Sequence, residues 1–270
     1  MEELRKLWNS LNKEGEFNYI SHLQAGAEWD RAEFHLTGIR FVDRMIERIA
    51  DYGEVKPNQA SVLEIGCGVG RFLKPLACRF RLACGVDISE EMLKSAMEYC
   101  SCMPNIVLQH SDGKILSQVE DESFEYCVSA GVFQHITDFD AIASYAREAL
   151  RVLKPGGLFL FQFEGNRTED VGKGQVGARI TAEKLDAALE GAEFEICEIS
   201  QDPTDAVRNI VIVIRKTPGS LPAQSFLSYP MSERGWMEGV YDDIKTKAEM
   251  HERQAAPRLK MTFYEGKAAS

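Results

Sequence analysis

Glu64 is followed by glycines at 66, 68 and 70 in the run VLEIGCGVGRF, Val62 to Phe72. Apolar residues ahead of the glycines and a helical pattern behind them mark the first βα turn of a nucleotide-binding unit. Bare backbone at alternate positions lets a ligand lie close and lets the chain take positive φ where it must turn. A dinucleotide fingerprint needs its third glycine where Arg71 stands, and a pyrophosphate gains little from a carboxylate two residues before the first glycine. Glu64 suits a ligand that carries positive charge, or it is a strand-end acid that caps backbone amides. Asp87 ends the run LACGVDI twenty-one residues beyond Gly66, the separation at which an acid reaches ribose hydroxyls in a βαβ unit. Asp112, in HSDG, ends the next strand, where its carboxylate can accept from an adenine amino group while Gly113 offers its amide. An ordinary Asp-Gly turn is the other reading of that pair. Three acids at three successive strand ends describe a nucleoside with a cationic arm and no phosphate.

The elements that must hold these residues alternate. From Ser61 the chain reads SVLEI, a helix through RFLKPLACRF, LACGVDI, a helix opened by Ser89 with Glu90 and Glu91 in its first turn, NIVLQ, and FEYCVSA. A helix from about Asp138 to Leu153 ends at KPGG and feeds the strand Leu158 to Phe163. A glycine-bearing polar loop and a helix beginning near Thr181 come next. The last two strands, EFEICEIS and RNIVIVIRK, are joined closely enough to be antiparallel neighbours. Strands separated by helices pair in parallel through right-handed crossovers, so the fold class is α/β with a doubly wound, mostly parallel sheet. Residues 1–57 read as an N-terminal helical lid, closed by Gly53 and Pro57, residues 58–217 as the ligand-binding domain, and 218–270 as a C-terminal extension carrying one helix around Gly239 to Gln254.

Composition narrows the function classes. The chain has 270 residues, enough for a sizeable core, and 31 basic against 42 acidic residues leave a net charge of −11, which disfavours tracking a phosphate backbone. No apolar run is long enough for a membrane span, and the first residues lack the apolar stretch of a signal peptide, so the expected location is cytoplasmic. The seven cysteines are odd in number and sit mostly in strand or helix patterns, which argues against a disulfide framework.

S-adenosylmethionine is a nucleoside with a cationic arm and no phosphate. VLEIGCGVGRF, GVDIS, HSDG, FEYCVSAGVFQHI and EALRVLKPGGLFLFQ, in this order and spacing, resemble the successive motifs of class I S-adenosylmethionine-dependent methyltransferases, of the Methyltransf_11 or Methyltransf_25 type, over roughly Ser61 to Lys216. The resemblance implies a seven-stranded sheet with the last strand antiparallel, S-adenosyl-L-methionine as cofactor, and a methyl acceptor. It implies that Gly66, Gly68 and Gly70 hold the methionine arm, that Asp87 binds both ribose hydroxyls with Ile88 against the adenine, and that Asp112 takes the adenine amine. Ser129, Ala130 and Gly131 match the segment beside the methionine amino group and the transferred methyl.

Around this frame stand further candidates. His135, in FQHI, can take a proton from a hydroxyl nucleophile, or it is a histidine that bonds backbone near a helix start. His22 and His35 have the same two readings. Arg71 and Arg40 can meet the methionine carboxylate, or they are surface residues near a helix start. Thr37 and Gly38, in FHLTGIR, resemble a lid turn that reaches the cofactor. Trp29, Phe34 and Phe133 either wall a substrate cavity or belong to the core. Gln162, Glu164, Asn166 and Arg167 lie at or just past the carboxyl end of the fifth strand, a usual substrate side, and the following loop, with Gly165, Gly172, Gly174 and Gly177, either acts as a lid or is an inert surface excursion.

The end of the fourth strand carries Ser129, where catechol-type enzymes place a metal-binding acid, so metal-independent transfer is expected, with no metal site. The stretch SAGVF also lacks the N/D-P-P-Y/F motif of enzymes that methylate adenine or cytosine amino groups. The leading reading is an enzyme that methylates an O or N atom of a small molecule, without nucleic-acid or membrane partners. The alternative is a non-catalytic cofactor-binding partner or regulatory subunit. The extension after Lys216 would then serve as a docking surface, while in an enzyme it would form a homodimer contact or close the site.

Overall fold

The computed structural model describes residues 1–11, 31–165, 177–201, 209–219 and 224–234, all within one compact unit, Met1–Trp236. Two helices, α1 (Glu2–Leu11) and α2 (Arg31–Ala50), precede the alternating part. Then follow β1 (Ser61–Ile65), α3 (Leu73–Arg79), β2 (Leu82–Asp87), α4 (Glu90–Tyr99), β3 (Ile106–His110) and β4 (Phe124–Ser129). The second half comprises α5 (Phe139–Val152), β5 (Leu153–Glu164), α6 (Ala182–Ala188), β6 (Phe194–Gln201), β7 (Asn209–Lys216) and a two-residue β8 (Ser232–Glu233).

The sheet runs β3-β2-β1-β4-β5-β7-β6-β8. β1 pairs in parallel with β2 on one side and β4 on the other, and β7 runs antiparallel to both β5 and β6. The seven expected strands are all present, with β7 the antiparallel one. The eighth, β8, pairs with the outer edge of β6. Because the chain leaves β1 first toward β2 and later returns to β4, the switch point lies at the carboxyl end of β1, the place where open α/β sheets bind ligands.

Local chemistry starts the helices where the sequence puts them. Ser89 accepts the Met92 amide at 3.1 Å and Glu90 and Glu91 fill the first turn of α4. Asp138 accepts the Asp140 amide at 3.0 Å ahead of α5, and Thr181 accepts the Lys184 amide at 3.3 Å ahead of α6. β1 is buried at every position because helices cover both faces of a parallel sheet. On β5 the period of two puts Phe159, Phe161 and Phe163 on one face, where Phe133 and α5 join them. Burying each such ring stabilises by about 1.5–3 kcal/mol. β5 begins at Leu153 rather than Leu158, because KPGG is taken into the ladder as an irregularity between the Phe124 and Tyr126 pairs.

α2 packs on α3 through the stacked rings of Phe41 and Phe72, 3.8 Å apart, and through the Asp43–Arg79 ion pair at 2.9 Å. Its far end is tied to β6. Arg48 and Glu198 form a buried pair at 3.6 Å, and Tyr52 donates to Glu198 Oε2 at 2.7 Å. The first part of the extension closes the same edge. Arg234 meets Asp51 at 2.8 Å and Glu198 at 3.6 Å, Phe226 stacks on Phe194, and Tyr229 donates to the Cys197 carbonyl at 2.9 Å. The helix expected around Gly239 to Gln254 lies outside the described residues, as do His22, Trp29, Asn166, Arg167, Gly172 and Gly174.

Candidate active site

The glycine loop is built by β1 and β2 together. The amides of Gly66 and Cys67 both donate to the Val86 carbonyl, at 2.7 and 3.0 Å, so the chain must turn sharply on leaving β1. Gly66 does this at φ +76°, and a Cβ there would stand 2.4 Å from Val132 Cγ2. Its missing side chain therefore lets the segment after β4 close down on the loop. Gly68 and Gly70 also take positive φ, +51° and +87°.

Asp87 faces this loop from the end of β2. Its Oδ2 accepts the Gly68 amide and its Oδ1 the Ser89 amide, each at 2.8 Å. Burial raises its carboxyl above the ordinary range, while the amides of Ser89, Gly68 and Ile88 pull the other way. His110, at the paired position on β3, has Nε2 3.1 Å from the Ile88 carbonyl. Glu64 lies deeper, 3% exposed, and its Oε2 has no hydrogen-bond partner. Burial, then the neighbouring Asp87 charge, push its carboxyl well up, with Arg71 opposing. A buried carboxylate oxygen without a donor, beside a second acid, fits a ligand that brings a cationic donor.

Arg71 itself is buried. Its Nε donates to Thr37 Oγ1 at 3.0 Å, Thr37 Oγ1 donates to the Phe34 carbonyl at 2.7 Å, and the guanidinium lies over the Phe34 and Phe72 rings. Thr37 and Gly38 are thus interior residues of α2 and not part of a turn. The run from Arg31 stays helical through them because Gly38, lacking Cβ, lets the helix lie on the Arg71 carbonyl. Arg40 is half-buried on the same helix.

At the end of β3, Asp112 Oδ1 accepts the amides of Lys114 and Ile115 at 2.8 and 2.9 Å, which lowers its pKa. It therefore forms the turn that its Asp-Gly sequence suggested, at a strand end beside Asp87 in the sheet order. The Gly113 amide donates to Ser111 Oγ at 3.1 Å, and that hydroxyl lies 3.0 Å from Tyr145 OH. At the end of β4, Ser129 is buried and donates to the Ile65 carbonyl at 3.2 Å, tying β4 to β1. Ala130 is half-buried, and Gly131, at φ +71°, donates its amide to Gln162 Oε1 at 2.8 Å. Gln162 thus turns inward rather than toward a substrate. Phe34 and Phe133 are fully buried, so both belong to the core. His35 Nδ1 lies 2.9 Å from Tyr99 OH, and burial, with Lys74, lowers its pKa.

His135 is half-buried in the short 3-10 turn Phe133–His135, with the ring of Trp8 edge-on at 5.4 Å. That contact belongs to α1, within the segment read as an N-terminal lid, but none of its residues was singled out from the sequence. Asn9 Oδ1 accepts the Ser89 hydroxyl at 2.7 Å, Trp8 packs against the cluster containing Val69, and the Met1 side chain lies against Gly113. α1 therefore lies across the ends of β2, β3 and β4. Leu4, Trp8 and Leu11, at spacings of four and three, are the signal that could have revealed its inward face.

A glycine loop, Asp87 at the end of β2 and the buried Glu64, whose Oε2 has no hydrogen-bond partner, are gathered at the switch point of a doubly wound sheet, the arrangement expected for binding a nucleoside cofactor. The methyltransferase domain family, Methyltransf_11, matches residues 63–161, so this part of the chain is similar to that domain family. Phosphoethanolamine N-methyltransferase 2 of Caenorhabditis elegans is 32% identical over 135 residues, covering 47% of this chain and 30% of that protein. Demethylmenaquinone methyltransferase of Tropheryma whipplei is 26% identical over 156 residues, covering 57% of this chain and 56% of its own. The chain thus spans less than two thirds of the length of these relatives. The structure of Haemonchus contortus phosphoethanolamine N-methyltransferase 1, bound to phosphoethanolamine and S-adenosylhomocysteine, superposes with a TM-score of 0.63 at 14% identity over 93% of this chain and 55% of that one. Magnesium protoporphyrin IX methyltransferase from Synechocystis, with bound S-adenosylhomocysteine, gives 0.59 at 16% identity, over 80% and 99% of the two chains. Among the described residues no helix is long and apolar enough to cross a membrane.

Proposed function

We propose that this chain transfers a methyl group from S-adenosylmethionine to an O or N atom of a small molecule by in-line displacement, without a metal. The observation that carries the reading is Glu64, whose buried oxygen lacks a donor beneath the glycine loop. Bound there, the cofactor supplies an electrophilic methyl on a sulfonium. Gly66, Gly68 and Gly70 receive the methionine arm, Glu64 faces its ammonium, Asp87 takes the ribose hydroxyls, and Ile88, Asp112 and Gly113 flank the adenine. Ser129, Ala130 and Gly131 border the reacting end, and Thr37, Gly38 and Arg71 brace the loop from α2.

Most of the acceleration then comes from holding two molecules in near-attack geometry and excluding water. α1 serves the second task, since Trp8 and Asn9 lie over the strand ends. His135 accepts the acceptor's proton where the nucleophile is a hydroxyl, and a neutral amine needs no such step. Ser129 at the end of β4, its hydroxyl engaged by the Ile65 carbonyl, supports transfer without a metal. The amine and quinone substrates in the relatives' names support a small acceptor.

Calorimetric titration with S-adenosylhomocysteine, with NADH and Asp87→Ala as controls, tests the cofactor site, and a panel of small amines and phenols assayed by mass spectrometry tests the acceptor. Binding of S-adenosylhomocysteine alone, lost in Asp87→Ala, and methylation of a panel member are expected. Preference for NADH, or tight cofactor binding with methylation confined to macromolecules, would overturn the reading.

A further inference from the structure

We propose that Gln162 is a positioning residue for the methionine arm, acting through the backbone carbonyl of Ala130 and itself held by Asn209. The inference rests on the reading above that residues 129–131 border that arm. Gln162 is buried on β5, beside the end of β4, where Ser129 pairs with Phe161. The Gly131 amide can only donate, so Gln162 must present Oε1 to it, which it does at 2.8 Å. Its amide nitrogen is then turned to the other side, where it donates to Oδ1 of Asn209, the first residue of β7. Asn209 is anchored in turn by the pairing of its backbone with Glu164.

The consequence lies in the peptide plane that Ala130 and Gly131 share. No peptide bond among the described residues is cis, and in a trans peptide the N–H and C=O point opposite ways. Drawing the N–H toward β5 therefore turns the Ala130 carbonyl back toward β1, the side that carries Glu64 and the glycine loop. Gly131 brings no side-chain packing of its own to this plane, and nothing lies within 4 Å of a Cβ position there. The hydrogen bond to Gln162 restrains the plane, and the carbonyl so oriented is a second acceptor, with Glu64, for the ammonium of the arm.

The test compares S-adenosylhomocysteine with 5′-methylthioadenosine, which keeps the nucleoside and the thioether but has no amino-acid arm. Binding of both is measured by calorimetry for wild type, Gln162→Ala, Gln162→Glu and Asn209→Leu. Gln162→Ala should weaken S-adenosylhomocysteine about tenfold or more, as expected for a lost charge-assisted hydrogen bond, and leave 5′-methylthioadenosine within about twofold. Gln162→Glu, which can still accept from the Gly131 amide while the Asn209 side chain turns to donate, should recover most of that loss. Asn209→Leu should show a smaller loss, again confined to the arm-bearing ligand. Equal weakening of both ligands in Gln162→Ala would make the residue merely structural, and unchanged binding of both would remove it from the site; either overturns the proposal. Wild type binding both ligands equally would instead refute the arm reading beneath it.

Discussion

Replacing Gly38 by alanine sets a local preference against a tertiary contact of known size. In the interior of α2, alanine is favoured over glycine by about 1 kcal/mol. Against this, a Cβ at Gly38 would stand 2.2 Å from the Arg71 carbonyl oxygen, about 0.8 Å inside the closest approach that Cβ atoms show. The obstructing atom is backbone, so no side-chain rotation relieves it. Either α2 lifts from α3, opening the Phe41–Phe72 stack, or the glycine loop shifts. Overpacking of this kind costs about 1–3 kcal/mol, occasionally more, and a clash with backbone lies in the upper part of that range, so a net destabilisation of up to about 2 kcal/mol remains after the helical gain. That corresponds to a fall in Tm of up to roughly 4–8 °C for a domain of this size. Urea denaturation followed by circular dichroism measures it, with Leu36→Ala, at a position 41% exposed on the same helix, as the near-neutral control. S-adenosylhomocysteine affinity should fall as well, because Arg71 ends the glycine loop. A Gly38→Ala variant as stable as wild type, or more so, would refute the claim that tertiary contact overrides propensity here.

The other expectations concern charge and capping. Glu64 holds its proton more tightly when folded than when unfolded, so between the ordinary carboxylate range and its raised folded pKa the chain loses about 1.4 kcal/mol of stability per pH unit from this group. Glu64→Gln should therefore unfold at a higher temperature than wild type as pH rises toward neutral, yet bind S-adenosylhomocysteine more weakly; parallel Tm–pH curves would contradict this. Arg48→Met leaves Glu198 buried with Tyr52 and the more exposed Arg234, and should cost about 2–3 kcal/mol in urea titrations. Adding Glu198→Met should recover most of that loss. Ser89→Ala removes both the cap on α4 and the hydroxyl held by Asn9, and should cost about 1–2 kcal/mol, more than Asn9→Ala, by the same measurement.

Much of the fold was legible because its signals are local. Ser89, Asp138 and Thr181 announce helix starts by bonding amides two or three residues on, and the strands declare themselves by continuous or alternating apolar runs. The two halves of the candidate site were legible for the same reason, since the glycines and Asp87 belong to one βαβ unit whose geometry fixes their separation. Asp112 was read with both of its possibilities, and its carboxylate forms the turn at the strand end.

The amino-acid sequence by itself determined the order of strands and helices, the crossovers, and the acids and glycines at the strand ends, because periodicity and turn chemistry act within a few residues. Only the tertiary structure decided that α1 lies across the strand ends, that Thr37 and Gly38 brace Arg71 from inside a helix, that Phe34 and Phe133 fill the core, and that Gln162 turns inward to the Gly131 amide. Each of these joins residues far apart in the chain. Such contacts are set by which surfaces can pack together once the sheet has formed, and no short-range pattern encodes that choice.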